Sequence, residues 1–254
     1  MDGTTARSGL GRVVVGVDGS PSAHTAVVRA VEEAALRGST LCPVHAADRD
    51  APVPFPSEAG VVGSRQAGRE SLDRTAEAIT ARHPEPAVVR ELADDPAPGS
   101  PRRAAAMTGT IVVGHRGLGG FSPLSLGSVG SVGLEAAAAA PTPVVVGRGA
   151  AEPVGAGAVL AAVRDEADVG RARAAAREAL LRKAPLRLPH LWNAGLTPGP
   201  RAASHHADLL VLGGRRSPGH LGPAPGRITL TLLRHAHCPV QLIPRQGPGH
   251  RSTS

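Results

Sequence analysis

The sequence predicts an α/β fold: a doubly wound, parallel five-stranded sheet with helices on both faces, followed by a shortened repeat of the same arrangement. Three observations carry this. Aromatic residues are nearly absent from the 254 residues, with two Phe, one Trp and no Tyr, so any core must be built from Val, Leu, Ile and Ala. Short runs of branched aliphatics recur along the chain, as they do in parallel strands buried on both faces. Stretches with helical spacing alternate with them, and the order βαβαβαβαβ implies a parallel sheet.

The elements follow in order. Residues 12–17 form a Val run that reads as a buried strand. Asp18-Gly19-Ser20-Pro21 is a turn in which Ser20 caps a helix and Pro21 takes its first position. The apolar positions Ala26, Val27, Ala30, Val31, Ala34 and Ala35 then keep helical spacing up to a stop at Gly38. Residues 41–47 read as a second strand. Residues 48–62 hold three Pro and read as a loop. A weakly amphipathic helix is expected over 64–82, a third strand over 87–92, and a short helix over 102–107 after the Pro-rich stretch 95–101. Residues 110–113 are a buried strand. A Gly-rich loop, 114–128, runs into an Ala-rich helix ending near Ala140, and 144–146 closes the half.

Residues 148–157 look like a linker. The pattern then returns: a strand over 159–163, a helix over 168–182, a strand over 185–192, and a strand over 209–212 with a second Gly-rich loop. A helix through Leu232 and His235 ends at Cys238-Pro239, and 240–243 is the last strand. Repetition on this scale is a duplication, not a solenoid. The expected organisation is a first domain over 11–148, a degenerate second domain over 156–245, and a polar, disordered tail over 246–254.

The formal charge is +7, but no run of Lys/Arg exceeds two. With no aromatics interleaved for base stacking, a nucleic-acid partner is not expected and an Arg-biased, solvated surface is. The cysteines, Cys42 and Cys238, form no CxxC and fit a reducing, cytoplasmic setting. Residues 1–10 lack the apolar core of a signal peptide, and no apolar run nears the roughly 20 residues of a membrane span.

The sharpest chemical feature is Gly114-x2-Gly117-x9-Gly127-Ser128, lying between a buried strand and a helix. Glycines there allow close backbone approach to a ligand, and the N–H groups opening the next helix make an anion site. Ser128 adds a hydroxyl donor and Arg116 a cation for phosphate. Asp18, ending the first strand, puts a carboxylate where ribose or adenine is held in doubly wound folds. There is no G-x-x-x-x-G-K-[ST] and no G-x-G-x-x-G after the first strand, so neither a P-loop nor a dinucleotide fingerprint is present. On residues alone, a tight crossover in a Gly-rich chain explains the loop equally well.

At these residues the chain resembles universal stress proteins. Val13-Val14-Val15-Gly16-Val17-Asp18-Gly19-Ser20-Pro21-Ser22 is similar to their opening, and 112–129 to their ATP-binding stretch, with the signature G-x2-G-x9-G-[ST] complete at 114–128. The resemblance covers about residues 11–147. It implies a Rossmann-like fold of the adenine nucleotide alpha hydrolase-like type and an ATP site, with Mg2+ accompanying the phosphates. It implies that Gly16 and Asp18 line the adenosine end and that Ala46 offers its backbone to adenine. Gly114, Arg116 and Gly117 would wrap the ribose and phosphates, and Gly127, Ser128 and Val129 would hold the phosphates. One departure stands out: Gly130-Ser131-Val132 repeats Gly127-Ser128-Val129, so that Gly130 replaces the usual Ser or Thr. Ser131 would substitute as a phosphate donor, or the repeat would spoil the pocket.

In the second half Gly213 and Gly226 are spaced as Gly114 and Gly127 are, but Arg216, Arg227 and Arg164 stand where Gly117, Ser128 and Asp18 would. A helix and a strand are missing between Trp192 and Leu209. This half is expected not to bind ATP. His205-His206 and His235-Ala236-His237-Cys238 lack the paired spacing of a zinc site, and no metal site is expected. No G-x-S-x-G elbow exists, Asp94-Asp95 read as a turn cap, and no general base stands in the loop, so ATP hydrolysis would be slow at most. The reading is an ATP-binding stress-response or signalling protein. Its alternatives are a ligand-free scaffold whose halves pair and recruit a protein, and a slow ATPase. In the family single domains pair through their final strands, so 144–146 and 240–243 are expected to meet within one molecule as a pseudo-dimer, with a homodimer of the whole chain left open.

Overall fold

The computed structural model describes residues 11–47, 58–94, 100–105, 109–114, 142–147, 157–163, 166–189, 202–213 and 227–244. The chain divides into two compact units, residues 1–136 and 137–254.

In the first unit the described strands are β1 (Val13–Gly16), β2 (Leu41–Ala46), β3 (Glu91–Ala93) and β4 (Thr110–Gly114), ordered β3-β2-β1-β4 and all parallel. Val13, Val14 and Val15 are fully buried, as a strand covered on both faces requires. Helix α1 (Pro21–Arg37) starts as expected: Ser20 Oγ accepts from the Ala23 N–H at 3.0 Å, with Pro21 at the first position. It ends in a Schellman turn, with Gly38 left-handed at φ 58, its N–H donating to Ala35 and the next N–H, of Ser39, to Ala34. Ala26, Ala30 and Ala34 on its inner face have no exposure.

One position of that stripe is corrected. Ala35 faces solvent and Glu33 takes the buried place at 1% exposure. The carboxylate is held by Arg29 at 2.9 Å and Arg37 at 2.8 Å, one turn either side. A buried charge needs such partners. The same spacing recurs in the second unit, where Glu178 pairs with Arg182.

Helix α2 runs Glu58–Arg82, longer than the expected 64–82, so residues 58–62 are helix and not loop. Its added turns bury nothing, since Val62 is exposed, and hydrophobic spacing could not have revealed them. The expected strand 87–92 is split into a bridge, Val88 opposite Leu41, and β3 opposite Val44–Ala46. Helix α3 (Ser100–Ala105) begins before the expected 102 because Pro101 is tolerated in a first turn.

The second unit contains β5 (Val144–Gly147), β6 (Ala158–Ala161), α4 (Val169–Arg182), β7 (Leu186–Arg187), β8 (Ala207–Gly213), α5 (Arg227–His235) and β9 (Val240–Ile243), with 3-10 turns at Glu166–Asp168 and Ser204–His206. Its strand order is β5-β9-β8-β6-β7. β6, β7, β8 and β9 run parallel, and β5 pairs with β9 antiparallel, Val145 opposite Gln241. The two strands that close the sequence repeats therefore meet in one molecule, as expected. The core joins Val159, Ala161, Ala175, Ala179, Leu209 and Val211. Of the expected strand 185–192, residues 190–192 lie outside the described residues and within 185–189 only Leu186–Arg187 is strand; among the described residues β7 has no further strand beside it. The Schellman turn of α1 is repeated after α4, but with Lys183 in the left-handed position at φ 52.

Candidate functional site

Parallel pairing brings β1, β2 and β4 to a common carboxyl edge. Gly16 pairs with Val44, so the register carries Asp18 level with Ala46; Val15 pairs with Val112, so Gly114 comes level with Val17. Four of the residues singled out in the sequence, Gly16, Asp18, Ala46 and Gly114, thus share one end of one sheet. In doubly wound folds that end is where ligands bind. Arg116, Gly117, Gly127, Ser128, Val129 and Ser131 lie outside the described residues, as does the repeat at Gly130.

The turn after β1 is built to present its carboxylate. Gly19 has φ +76, a conformation that glycine adopts without strain. Asp18 is exposed, and its Oδ1 accepts from the Ser20 N–H at 2.9 Å. Gly16 is half-buried, and among the described residues a methyl group placed on it would meet only Pro101 Cγ, at 3.9 Å. Among the described residues, packing therefore leaves space above Gly16, which suits a ligand approaching the backbone. An exposed carboxylate, the backbone of Ala46 and two bare glycines form a donor and acceptor set that fits a nucleoside.

Sequence reasoning passed over His45. Its Nδ1 lies 2.8 Å from the carbonyl oxygen of Val17, so that nitrogen carries the proton and donates. The ring packs against α2 at Gly68, where a methyl group would fall 2.7 Å from Cδ2 and 2.9 Å from Leu92 Cδ1. The signal in the sequence was a helical glycine with no stop role, which marks close packing.

Cys42, also on β2, is buried. Burial pushes its thiol pKa up, partly opposed by Arg12, whose Nη1 lies 4.0 Å from Sγ. A protonated, enclosed thiol is a poor nucleophile.

The corresponding edge of the second unit is different. Arg171, in the first turn of α4, donates from Nη1 to the carbonyl of Ala162 at 2.6 Å and lies 2.8 Å from Asp168 through Nη2. Its guanidinium rests on Gly213, where a methyl group would come within 2.6 Å of Nη2. Arg164 and Arg216, expected to disable this half, lie outside the described residues, as does the side chain of Arg227. The imidazoles of His205 and His237 are stacked, with centroids 3.5 Å apart, and the His237 N–H donates to Ser204 Oγ at 3.0 Å. Among the described residues no group of three or more His, Cys, Asp or Glu could hold a metal ion, and no helix is long and apolar enough to cross a membrane.

The fold and this edge define a Rossmann-like α/β protein whose candidate residues gather at the carboxyl ends of its central strands. Residues 9–148 match the model of the universal stress protein family, and the chain belongs to that family. Universal stress protein Rv2005c of Mycobacterium tuberculosis is 33% identical over 136 residues, which is 54% of this chain and 45% of that protein. The chain spans about half the length of the curated relatives it matches. A universal stress protein from Archaeoglobus fulgidus has the same fold over 94% of this chain and 98% of its own, at a TM-score of 0.70 and 15% identity. A functionally unknown protein, PA1789, from Pseudomonas aeruginosa PAO1 matches over 93% of both chains at a TM-score of 0.62 and 17% identity.

Proposed function

We propose that the chain is an ATP-binding universal stress protein acting in stress response or signalling, with the nucleotide held by residues 11–148. Residues 156–245 are then its degenerate repeat and 246–254 a tail. The observation that carries this reading is the convergence of Gly16, Asp18, Ala46 and Gly114 at one sheet edge inside the family match, with the glycine signature following directly on Gly114. The adenosine would lie over Gly16 and between Asp18 and Ala46. Its phosphates would reach Arg116, Gly117, Gly127, Ser128, Val129 and Ser131, with Mg2+ as counter-ion. The buried, reduced cysteines suit a cytoplasmic protein.

Calorimetry on the full chain with MgATP tests the reading. A Kd on the order of micromolar, about −8 kcal/mol, is expected. Asp18→Ala should weaken it and Gly127→Val abolish it. No binding at millimolar ATP refutes the proposal.

A second reading, a tandem scaffold that recruits a protein partner without nucleotide, is favoured by one observation. In the second unit Arg171 bonds to Ala162 and rests on Gly213, at the edge that matches the candidate site of the first. It predicts a folded chain with no nucleotide affinity.

A further inference from the structure

We propose that Arg171 is a built-in occupant of the second unit's crevice, and that it excludes adenine nucleotide there. The inference rests on the reading that the matching crevice of the first unit holds the nucleotide. β6, β8 and α4 stand in the second unit in the order and pairing that β1, β4 and α1 have in the first. Gly213 ends β8 as Gly114 ends β4, and Ala162 follows β6 at its carboxyl end.

One side chain links all three elements. Nη1 donates to Ala162 O at 2.6 Å, Nη2 is 2.8 Å from Asp168 Oδ1, and Nη2, Nε and Cζ stand 2.6, 3.1 and 3.2 Å from where a Gly213 methyl would be. The guanidinium is flat and lies on the bare backbone of Gly213, the surface a ribose or phosphate would need. Arg171 and Asp168 are both largely buried, at 16% and 6% side-chain exposure, so the pair is shielded from solvent screening. A nucleotide entering here must break the bonds to Ala162 and Asp168 and would leave the Asp168 carboxylate facing its phosphates. The second unit is thereby closed without a ligand, whatever the chemistry of its loop.

The test uses the full chain and MgATP, with 8-azido-ATP cross-linking and peptide mapping to locate the label. Gly127→Val provides a background in which the first site is lost. Adding Arg171→Ala should create binding absent from the background, by at least about tenfold in affinity, with the label in peptides from 157–213. A doubly substituted chain with an unchanged circular dichroism spectrum and no gain in binding overturns the proposal, as does a label in 157–213 of the unsubstituted chain. Should Arg171→Ala unfold the second unit, Arg171→Lys decides. It keeps the cation and stem but loses the two-point bridge, so a gain supports the proposal and no gain overturns it. If the unsubstituted chain binds nothing while the Arg171 variant binds in 157–213, the plug stands and the ATP reading of the first unit falls.

Discussion

His45 donates from Nδ1 to the carbonyl oxygen of Val17 across 2.8 Å, so a side chain of β2 holds the peptide that leads into Asp18. The bond joins adjacent strands just where the candidate site begins. His45→Asn keeps a donor at a similar reach and His45→Leu removes it. The leucine variant should weaken ATP binding several-fold, on the scale of one net hydrogen bond of about 1 kcal/mol, while the asparagine variant recovers most of the affinity. Equal loss in both, measured by calorimetry, would make the ring's packing and not its bond responsible.

Gly68 reverses the usual helix rule. Alanine in a helix interior normally gains about 1 kcal/mol over glycine. Here the added methyl lies 2.7 Å from His45 and 2.9 Å from Leu92. Gly68→Ala should instead destabilise the chain by about 1–3 kcal/mol, the cost of overpacking, in urea unfolding.

Lys183 offers the opposite case. It occupies at φ 52 the position that Gly38 fills at φ 58 after α1. A side chain in that region costs about 1–2 kcal/mol. Lys183→Gly should therefore stabilise the second unit, by about 0.5–1 kcal/mol once the entropy of the added glycine is subtracted. A fall in urea midpoint would contradict this.

The seam of β5 and β9 should be sensitive at its centre. Val145 is fully buried opposite Gln241, and Gln241 donates from Nε2 to Glu178 Oε1 at 3.0 Å. Val145→Pro should cost about 3 kcal/mol or more through lost ladder geometry. Gln241→Leu should cost about 1–3 kcal/mol by taking a donor from a buried carboxylate. A Val145→Pro chain as stable as the parent would refute the pairing.

Cys42 carries a pH expectation. Burial raises its thiol pKa, so the unfolded chain ionises this thiol before the folded chain does. The contribution to stability is whole below the ordinary thiol range and is lost as pH rises through the folded value. Cys42→Ala should flatten the alkaline side of the stability profile. Native protein at neutral pH should react slowly with a thiol reagent at both buried cysteines.

The amino-acid sequence alone specifies the long buried strands and both ends of α1. β1, β2, β4, β5 and β9 are runs that must be buried on both faces. α1 begins at Ser20-Pro21 and ends at Gly38, because caps and left-handed turns are local chemistry. The glycine spacing and Asp18 were equally legible, since they sit at fixed offsets from those strands. Tertiary structure alone decided what depends on neighbours distant in the chain. Glu33 is buried because α1 packs on β1 and β4, and Arg29 and Arg37 of the same helix then hold its charge. α2 starts at Glu58 although its first turns bury nothing. His45 serves the candidate site because β1 lies beside β2 and Gly68 opens room for the ring. Arg171 was one arginine among many until α4, β6 and β8 packed together and placed its guanidinium on Gly213. Hydrophobic periodicity reports which face of an element is buried, but not which residue meets it across the sheet.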